Sequence, residues 1–338
     1  MKVTPALRKW APLGLLLAVP MAAGTVRIVQ TNSAGDDVDL IDPATNKIVG
    51  KIKGIEVNHG ATYAPDGSRY YITNEAESTV DVVDAKTLKI IRNVPLTGHP
   101  NNISISKDGK RLYIAIAARP GNVDVIDTLS LEKVNSIPIE GAVHNTYVTP
   151  DGKYVVAGSV AGKTLTVIDQ KTEKVSWVVK FENGVRPITF DTNSDGSTKN
   201  MYVQISELHG FAVVDFATHK EIKRVTLPDP PGEPKNTEGV QGSPSHGIGI
   251  TPDGKTLWAT SKWYGYVFEY SMPDLKLMAS VPVGHDPDWL TFTPDGKSMY
   301  VACAGSNWVA VVDLASQKVV NKIKVGQVPK RNITAVLP

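Results

Sequence analysis

The sequence predicts an all-β fold made of seven copies of one four-stranded antiparallel unit. Three observations predict it: a short apolar run closed by Asp recurs along the chain, a Pro-Asp-Gly-type turn recurs in step with it, and no stretch between them shows a helical period. The 28 Gly and 23 Pro among 338 residues suit a chain of many tight turns.

The apolar runs are Leu40-Ile41-Asp42, Val82-Val83-Asp84, Val125-Ile126-Asp127, Val167-Ile168-Asp169, Val213-Val214-Asp215 and Val311-Val312-Asp313, with a degenerate copy ending at Tyr270. Their spacing is about 43 residues, with one longer step of about 55. All but the first are preceded by a turn: Pro65-Asp66-Gly67, Lys107-Asp108-Gly109, Pro150-Asp151-Gly152, Ser194-Asp195-Gly196, Pro252-Asp253-Gly254 or Pro294-Asp295-Gly296. The turn leads into a run such as Leu112-Tyr113-Ile114-Ala115, and the Asp-closed run is followed by an alternating one such as Lys318-Val319-Val320-Asn321-Lys322-Ile323. With the segment before the turn, these make four strands.

A four-stranded unit at this period is a β-propeller blade. The seventh turn is missing, but the chain closes with Asn332-Ile333-Thr334-Ala335-Val336, a first strand with nothing after it, and Val26-Arg27-Ile28-Val29 is a second strand with nothing before it. Together they complete one blade, so the ring has no unpaired closing edge. The expected organisation is a seven-bladed propeller domain over 25–338, with an insertion at 228–245.

Tyr71-Ile72-Thr73-Asn74 after Pro-Asp-Gly-Ser-Arg, and Tyr300-Val301-Ala302 after Pro-Asp-Gly-Lys, resemble the YVTN-family β-propeller repeat over nearly all of 25–338. The resemblance implies the fold and not one activity. Propellers of this appearance include surface-layer, lactonase-like, haem-domain-like and quinoprotein-like members.

Residues 1–24 read as a secretory signal: Lys2, Arg8 and Lys9 precede an apolar run from Ala11 to Ala23 that is short for a bilayer span. Cleavage before Thr25 leaves no stable membrane anchor and a protein expected to be periplasmic or secreted. It also removes three of the 36 Lys+Arg against 34 Asp+Glu, so the nominal net charge of +2 belongs to the signal and nucleic acid is not an expected partner. Cys303 is the one cysteine, which excludes an internal disulfide, Cys-rich zinc sites and covalent haem attachment through Cys-x-x-Cys-His.

Ligands of propellers bind at the channel mouth where the inner strands begin. Seven residues before the turn Asp stand His59, Asn101, His144, His246 and Asp288; Arg186 joins them after two extra residues, and Lys330 follows Pro329. All seven are polar, where a packed position would include apolar residues, so the register predicts a solvated or liganded mouth. His99 and His285 lie in loops leading to these strands, and His209 with Glu207 lies between second and third strands. His219 alone is expected at the other end.

Two chemistries follow. His59, His144 and His246 could chelate copper, iron or zinc, although alternate blades place them far apart. Arg186 and Lys330 could clamp a carboxylate or phosphate, with an Arg186–Asp288 pair as the bland account. Trp263, Trp289 and Trp308 are expected near the same face, as stacking surfaces for a flat ligand or a protein partner, and the insertion at 228–245 could cover the mouth.

Asp169-Gln170-Lys171-Thr172-Glu173-Lys174-Val175-Ser176-Trp177 is similar to the Trp-docking repeat of quinoprotein dehydrogenases, but it lacks the Gly at Glu173 and occurs once. It reads as a hairpin rather than a quinone site. No nucleophile elbow, zinc-protease helix or dinucleotide loop is present. The expectation is a monomer that binds a small molecule or protein partner at the His-rich mouth. The alternatives are a metal- or cofactor-dependent oxidoreductase, and a lactonase-like or lyase-like enzyme with a base such as His246 and an acid such as Asp288 or Glu207.

Overall fold

The computed structural model describes residues 24–238, 240 and 242–337. The proposed signal therefore lies outside the described residues, apart from Gly24. The described chain forms 28 strands in seven four-stranded antiparallel sheets. Six sheets run in sequence order, each of four consecutive strands: 58–95 (β4–β7), 100–139 (β8–β11), 143–180 (β12–β15), 185–226 (β16–β19), 245–282 (β20–β23) and 287–324 (β24–β27), which are blades two to seven. Blade one has the order β28 (Pro329–Leu337), β1 (Thr25–Asn32), β2 (Asp37–Asp42), β3 (Lys47–Lys53), and β28 pairs with β1 through Ile333 opposite Val29 and Val336 opposite Val26. The closure read from the two chain ends is thus the one observed. Among the described residues no helix is long and apolar enough to cross a membrane.

Position within the blade explains each strand's composition. Second and third strands such as β5 (Arg69–Asn74) and β6 (Thr79–Asp84) are buried on both faces between neighbouring blades, so they are nearly continuous apolar runs. Fourth strands such as β27 (Lys318–Lys324) lie at the rim and alternate. The apolar clusters accordingly mix side chains from adjacent blades: Tyr70 and Ile72 of blade two pack with Val29 and Leu40 of blade one.

The recurrent Asp residues are turn devices. Asp84 Oδ1 accepts from Thr87 N and Oγ1, both at 2.7 Å, and Asp313 Oδ1 does the same for Ser316. Asp66 Oδ1 accepts from Ser68 N at 2.9 Å, in a turn that Gly67 completes at φ 70°.

One irregularity recurs in all seven blades and defines the channel mouth. The pairing of each inner strand with its neighbour breaks register at its beginning: between Asn58 and Ala61, Pro100 and Ile103, Val143 and Asn145, Val185 and Ile188, Ser245 and Ile248, and Pro287 and Trp289, and opposite the Gln30–Asn32 step in blade one. The unpaired residues include all seven mouth positions, joined by Gly60, Asn102, Pro187, Gly247 and Arg331 where two are skipped. A bulge releases its residue from the ladder and re-aims the side chain, so these seven are freed from the pleat.

Candidate functional site: the charged mouth of the channel

His59, Asn101, His144, Arg186, His246, Asp288 and Lys330 each occupy the second residue of an inner strand: β4 (Asn58–Tyr63), β8 (Pro100–Ile105), β12 (Val143–Val148), β16 (Val185–Thr192), β20 (Ser245–Ile250), β24 (Pro287–Phe292) and β28. The ring expected from the register is present, but it is less solvated than expected. Asp288 is 1% exposed, His246 4% and Asn101 8%, because the side chains bond to one another and to their flanks.

Threonines of the second strands stitch the ring from behind. Thr31 Oγ1 donates to the His59 carbonyl at 2.8 Å and accepts from Arg331 N at 3.2 Å; Thr73 Oγ1 accepts from Gly60 N at 2.7 Å and donates to the Asn101 carbonyl at 2.8 Å. The bonds to the His59 and Asn101 carbonyls link one blade to the next, while those from Arg331 N and Gly60 N stay within the blade. Gly60 permits the approach, since a Cβ there would lie 2.8 Å from the Asn101 carbonyl oxygen.

The three mouth imidazoles share one hydrogen-bonding logic. His246 Nδ1 lies 2.8 Å from the Asp288 carbonyl oxygen, His144 Nδ1 contacts Asn145 Oδ1, and His59 Nδ1 lies 2.5 Å from Glu75 Oε1. All three partners are acceptors, so Nδ1 carries the proton in each ring and Nε2 keeps its lone pair when the ring is neutral. Burial, reinforced by the Arg331 charge, holds His59 and His144 below the ordinary histidine range, His144 well below. His246 is also well below: burial dominates, Asp288 opposes it, and Lys262, Arg186 and Arg331 add to the lowering.

Asp288 is the anionic centre. Burial alone would raise its pKa, but the charges of Lys262 and Lys330 and the Lys262 hydrogen bond hold it well below the usual carboxylate range. Lys262 Nζ, itself 2% exposed, lies 2.9 Å from Asp288 Oδ1 and 3.1 Å from Asp286 Oδ1, and Lys330 Nζ lies 3.9 Å from Asp288. The Arg186–Asp288 pair considered from sequence is therefore replaced by lysine pairs to Asp288. Arg186 Nε donates to Ser206 Oγ at 2.9 Å, and burial lowers its pKa against the opposing pull of Asp288 and Glu207.

The three-imidazole metal site is not formed. His144 and His246 meet edge to face with centroids 5.6 Å apart, but His59 is held aside by Glu75. Among the described residues no group of three or more His, Cys, Asp or Glu is arranged to hold a metal ion. This corrects the expectation for His59, His144 and His246.

The outlying candidates separate. His99 and His285 are exposed in the loops before β8 and β24. His209 is packed rather than open: Nε2 lies 2.8 Å from Ser261 Oγ, and the rings of Trp263 and Tyr264 lie 4.9 and 5.5 Å away. The insertion explains that burial. Lys235 Nζ sits 3.7 Å over Trp263, and Asn236 N donates to the Trp263 carbonyl at 2.8 Å, so the segment lies on blades five and six. It reaches the mouth at Gly242, whose carbonyl accepts from Glu207 N at 2.9 Å.

Trp308 belongs to packing between strands, not to the channel. Its Nε1 donates to the Val283 carbonyl at 3.1 Å, and its ring fills the space beside Gly284. His219, at the opposite end, stacks on Trp177 at 4.0 Å, which gives the Trp-docking-like hairpin a packing role.

Sequence reasoning missed Glu75, Lys262 and Arg331. Glu75 and Lys262, like Ser206, are the first residues after a second strand, and aligning that position would have exposed them. Arg331 follows a mouth position, where other blades carry Gly60, Asn102, Asn145, Pro187, Gly247 and Trp289. It is 2% exposed, its guanidinium carbon lies 4.3 Å over the Trp289 ring, and its Nη2 donates to Asn101 Oδ1. It is the bar that crosses the channel.

Fold and site together define a seven-bladed β-propeller with a charged, histidine-bearing channel mouth. Two family models match this chain, each over half of it or more: "Lactonase, 7-bladed beta-propeller" over residues 139–330 and "Cytochrome D1 heme domain" over residues 25–195. The chain belongs to these propeller families. No curated protein matches it by sequence. Among solved structures, a chain of Kuenenia stuttgartiensis hydrazine synthase is similar at 24% identity and TM-score 0.74, covering 90% of this chain and 99% of that one. The periplasmic gluconolactonase of Pseudomonas aeruginosa is similar at 18% and 0.74, covering 93% and 100%. Dihydro-heme d1 dehydrogenase NirN is similar at 14% and 0.66, covering 98% and 82%. At these identities the likeness is one of fold.

Proposed function

We propose that this protein is an exported YVTN-type propeller that binds a small, oxygen-rich, carboxylate-bearing ligand at its channel mouth. One observation carries the reading: seven bulges free seven polar side chains at one end of the channel. Arg186 and Lys330 suit a carboxylate, while Asn101 and the three Nε2 lone pairs suit hydroxyls. The lactonase match and the gluconolactonase likeness favour a sugar acid or its lactone. In that case His246, oriented by the Asp288 carbonyl, is the base available to activate water. Export rests on the basic-then-apolar residues 1–24, and the similar gluconolactonase is itself described as periplasmic.

The cytochrome D1 match favours a second reading, in which the carboxylate-bearing ligand is an iron tetrapyrrole. The donor set fits it: neutral imidazole is the form that ligates iron, and Arg186 and Lys330 suit the macrocycle's carboxylates. His59 or His144 would hold the iron, and the group would supply redox chemistry when bound.

The test is calorimetric titration of the 25–338 protein with gluconate, assay of gluconolactone hydrolysis, and absorption titration with haemin. Arg186→Ala and Lys330→Ala should each weaken the responding ligand at least about tenfold. A Soret shift lost in His59→Ala or His144→Ala selects the second reading. Absence of all three responses at millimolar ligand, or responses unchanged in both cation variants, would end the mouth-binding proposal.

A further inference from the structure

Below the mouth the channel widens into a chamber of about 640 Å³ that opens on the other face beside the exposed Pro65 and Lys107. None of the seven mouth residues lines it. Trp289, which carries Arg331 over its ring, and Asn102, the neighbour of Asn101, stand at its mouth end.

The chamber differs in chemistry from the mouth above it. Lys107, at the outer opening, is the one charged residue among those that line it, and most of the others are aliphatic or aromatic. Tyr147 of blade four and Phe190 of blade five form one wall, edge to face with centroids 6.2 Å apart. The polar groups in the lining are neutral hydroxyls and amides. Asn102 is 6% exposed and gives its Nδ2 to the Thr146 carbonyl at 3.3 Å, which leaves Oδ1 as a buried acceptor without a described partner. The hydroxyls of Thr62 and Thr189 are also untaken by any described residue, and all three oxygens keep accessible surface, unlike the sealed Ser104 Oγ.

We propose that the chamber binds an uncharged molecule of phenol or indole size, an aromatic ring bearing an O–H or N–H donor, which enters from the face opposite the mouth. The aromatic wall and aliphatic lining match the ring, and Asn102 Oδ1 with the two threonine hydroxyls matches its polar end. A charged molecule is disfavoured, because beyond Lys107 no lining side chain answers its charge once its water is shed. The volume is that of an ordinary small-molecule site. This site is distinct from the mouth reading, which uses Arg186, Lys330 and the imidazoles, and the bond from Arg331 to Asn101 lies between the two.

4-Bromophenol is the probe, and 4-bromobenzoate is its charged counterpart. Each is titrated calorimetrically into the 25–338 protein, and soaked crystals are measured at the bromine absorption edge. The expected result is saturable binding of 4-bromophenol with an anomalous peak inside the chamber, where 4-bromobenzoate gives none. Thr189→Trp, which fills the chamber, should abolish that binding. Asn102→Leu, which removes the acceptor at similar size, should raise the half-saturating concentration about tenfold. Should one variant fail to fold, the other decides. Ordered water alone in the chamber, a peak without saturable binding in solution, 4-bromobenzoate seated in the chamber, or binding unchanged in either folded variant would overturn the proposal. Each of these outcomes would leave the mouth reading standing, because gluconate and haemin titrations report on it separately.

Discussion

The imidazole of His246 donates its Nδ1–H to the backbone carbonyl of Asp288, 2.8 Å away, while the carboxylate of the same residue is held 2.9 Å from Lys262 Nζ. One residue of blade seven thus fixes a ring of blade six through its main chain and a buried lysine of blade six through its side chain. The mouth is preorganised by contacts between blades as well as by contacts within them, such as His59 with Glu75 and Arg186 with Ser206.

Removing the Asp288 charge should therefore cost far more than a surface carboxylate. Asp288→Asn keeps the size and leaves Lys262 with Asp286 as its remaining close partner. A loss of about 3 kcal/mol is expected by urea denaturation, the cost typical of breaking a buried pair from one side. A variant within about 0.5 kcal/mol of the parent would mean that Asp286 suffices.

Stability should fall on the acid side of neutrality. His59, His144, His209 and His246 all titrate below their ordinary value in the folded state, His209 pushed down to about 4, chiefly through burial. The unfolded chain then binds more protons below about pH 6.5, so each imidazole contributes stability that is complete above that pH and declines towards the folded pKa. The decline is up to about 1.4 kcal/mol per pH unit for each group. Unfolding midpoints between pH 7 and pH 4 test this, and His209→Asn should flatten the profile. A flat profile in the parent would contradict buried neutral imidazoles.

Gly60 should not tolerate a methyl group. An Ala side chain would meet the Asn101 carbonyl oxygen at 2.8 Å and Asn102 Cα at 2.9 Å, both backbone of the next inner strand. Gly60→Ala is expected to destabilise by about 2–3 kcal/mol. Gly35→Ala is the control: its nearest neighbours lie 3.7 Å from the added atom, and its thermal midpoint should stay close to that of the parent.

Ending the chain at Gly326 should do more than shorten it. Blade one would lose β28, and β1 would present an open edge of unpaired backbone. Size-exclusion chromatography should show self-association or aggregation. A monomer with the parent's cooperative unfolding would mean that three strands are enough.

Most of the architecture was legible because the repeat is strong: Asp84, Asp127 and Asp313 mark equivalent strand ends, and counting back from Asp66 or Asp253 lands on a mouth position. Two of the bonds that organise the mouth were harder to see because they cross blades. Asn101 of blade three meets Arg331 of blade one, and Asp288 of blade seven meets Lys262 of blade six, so no single copy contains the pair. Trp308 misled for a related reason, since the room beside Gly284 decides where its ring lies. The burial of the ring followed from the threonine stitches and the insertion, which polarity alone did not reveal.

The shared blade also sets an order of events. Lys330 and Arg331 lie on β28 and dock beside Thr31 on β1, about 300 residues away in sequence. A chain in which β28 has not yet docked has six blades' worth of wall but lacks these two cations at the mouth. The charge pattern of the mouth is complete only when the ring shuts, so its final electrostatics are a product of closure and not of any single blade.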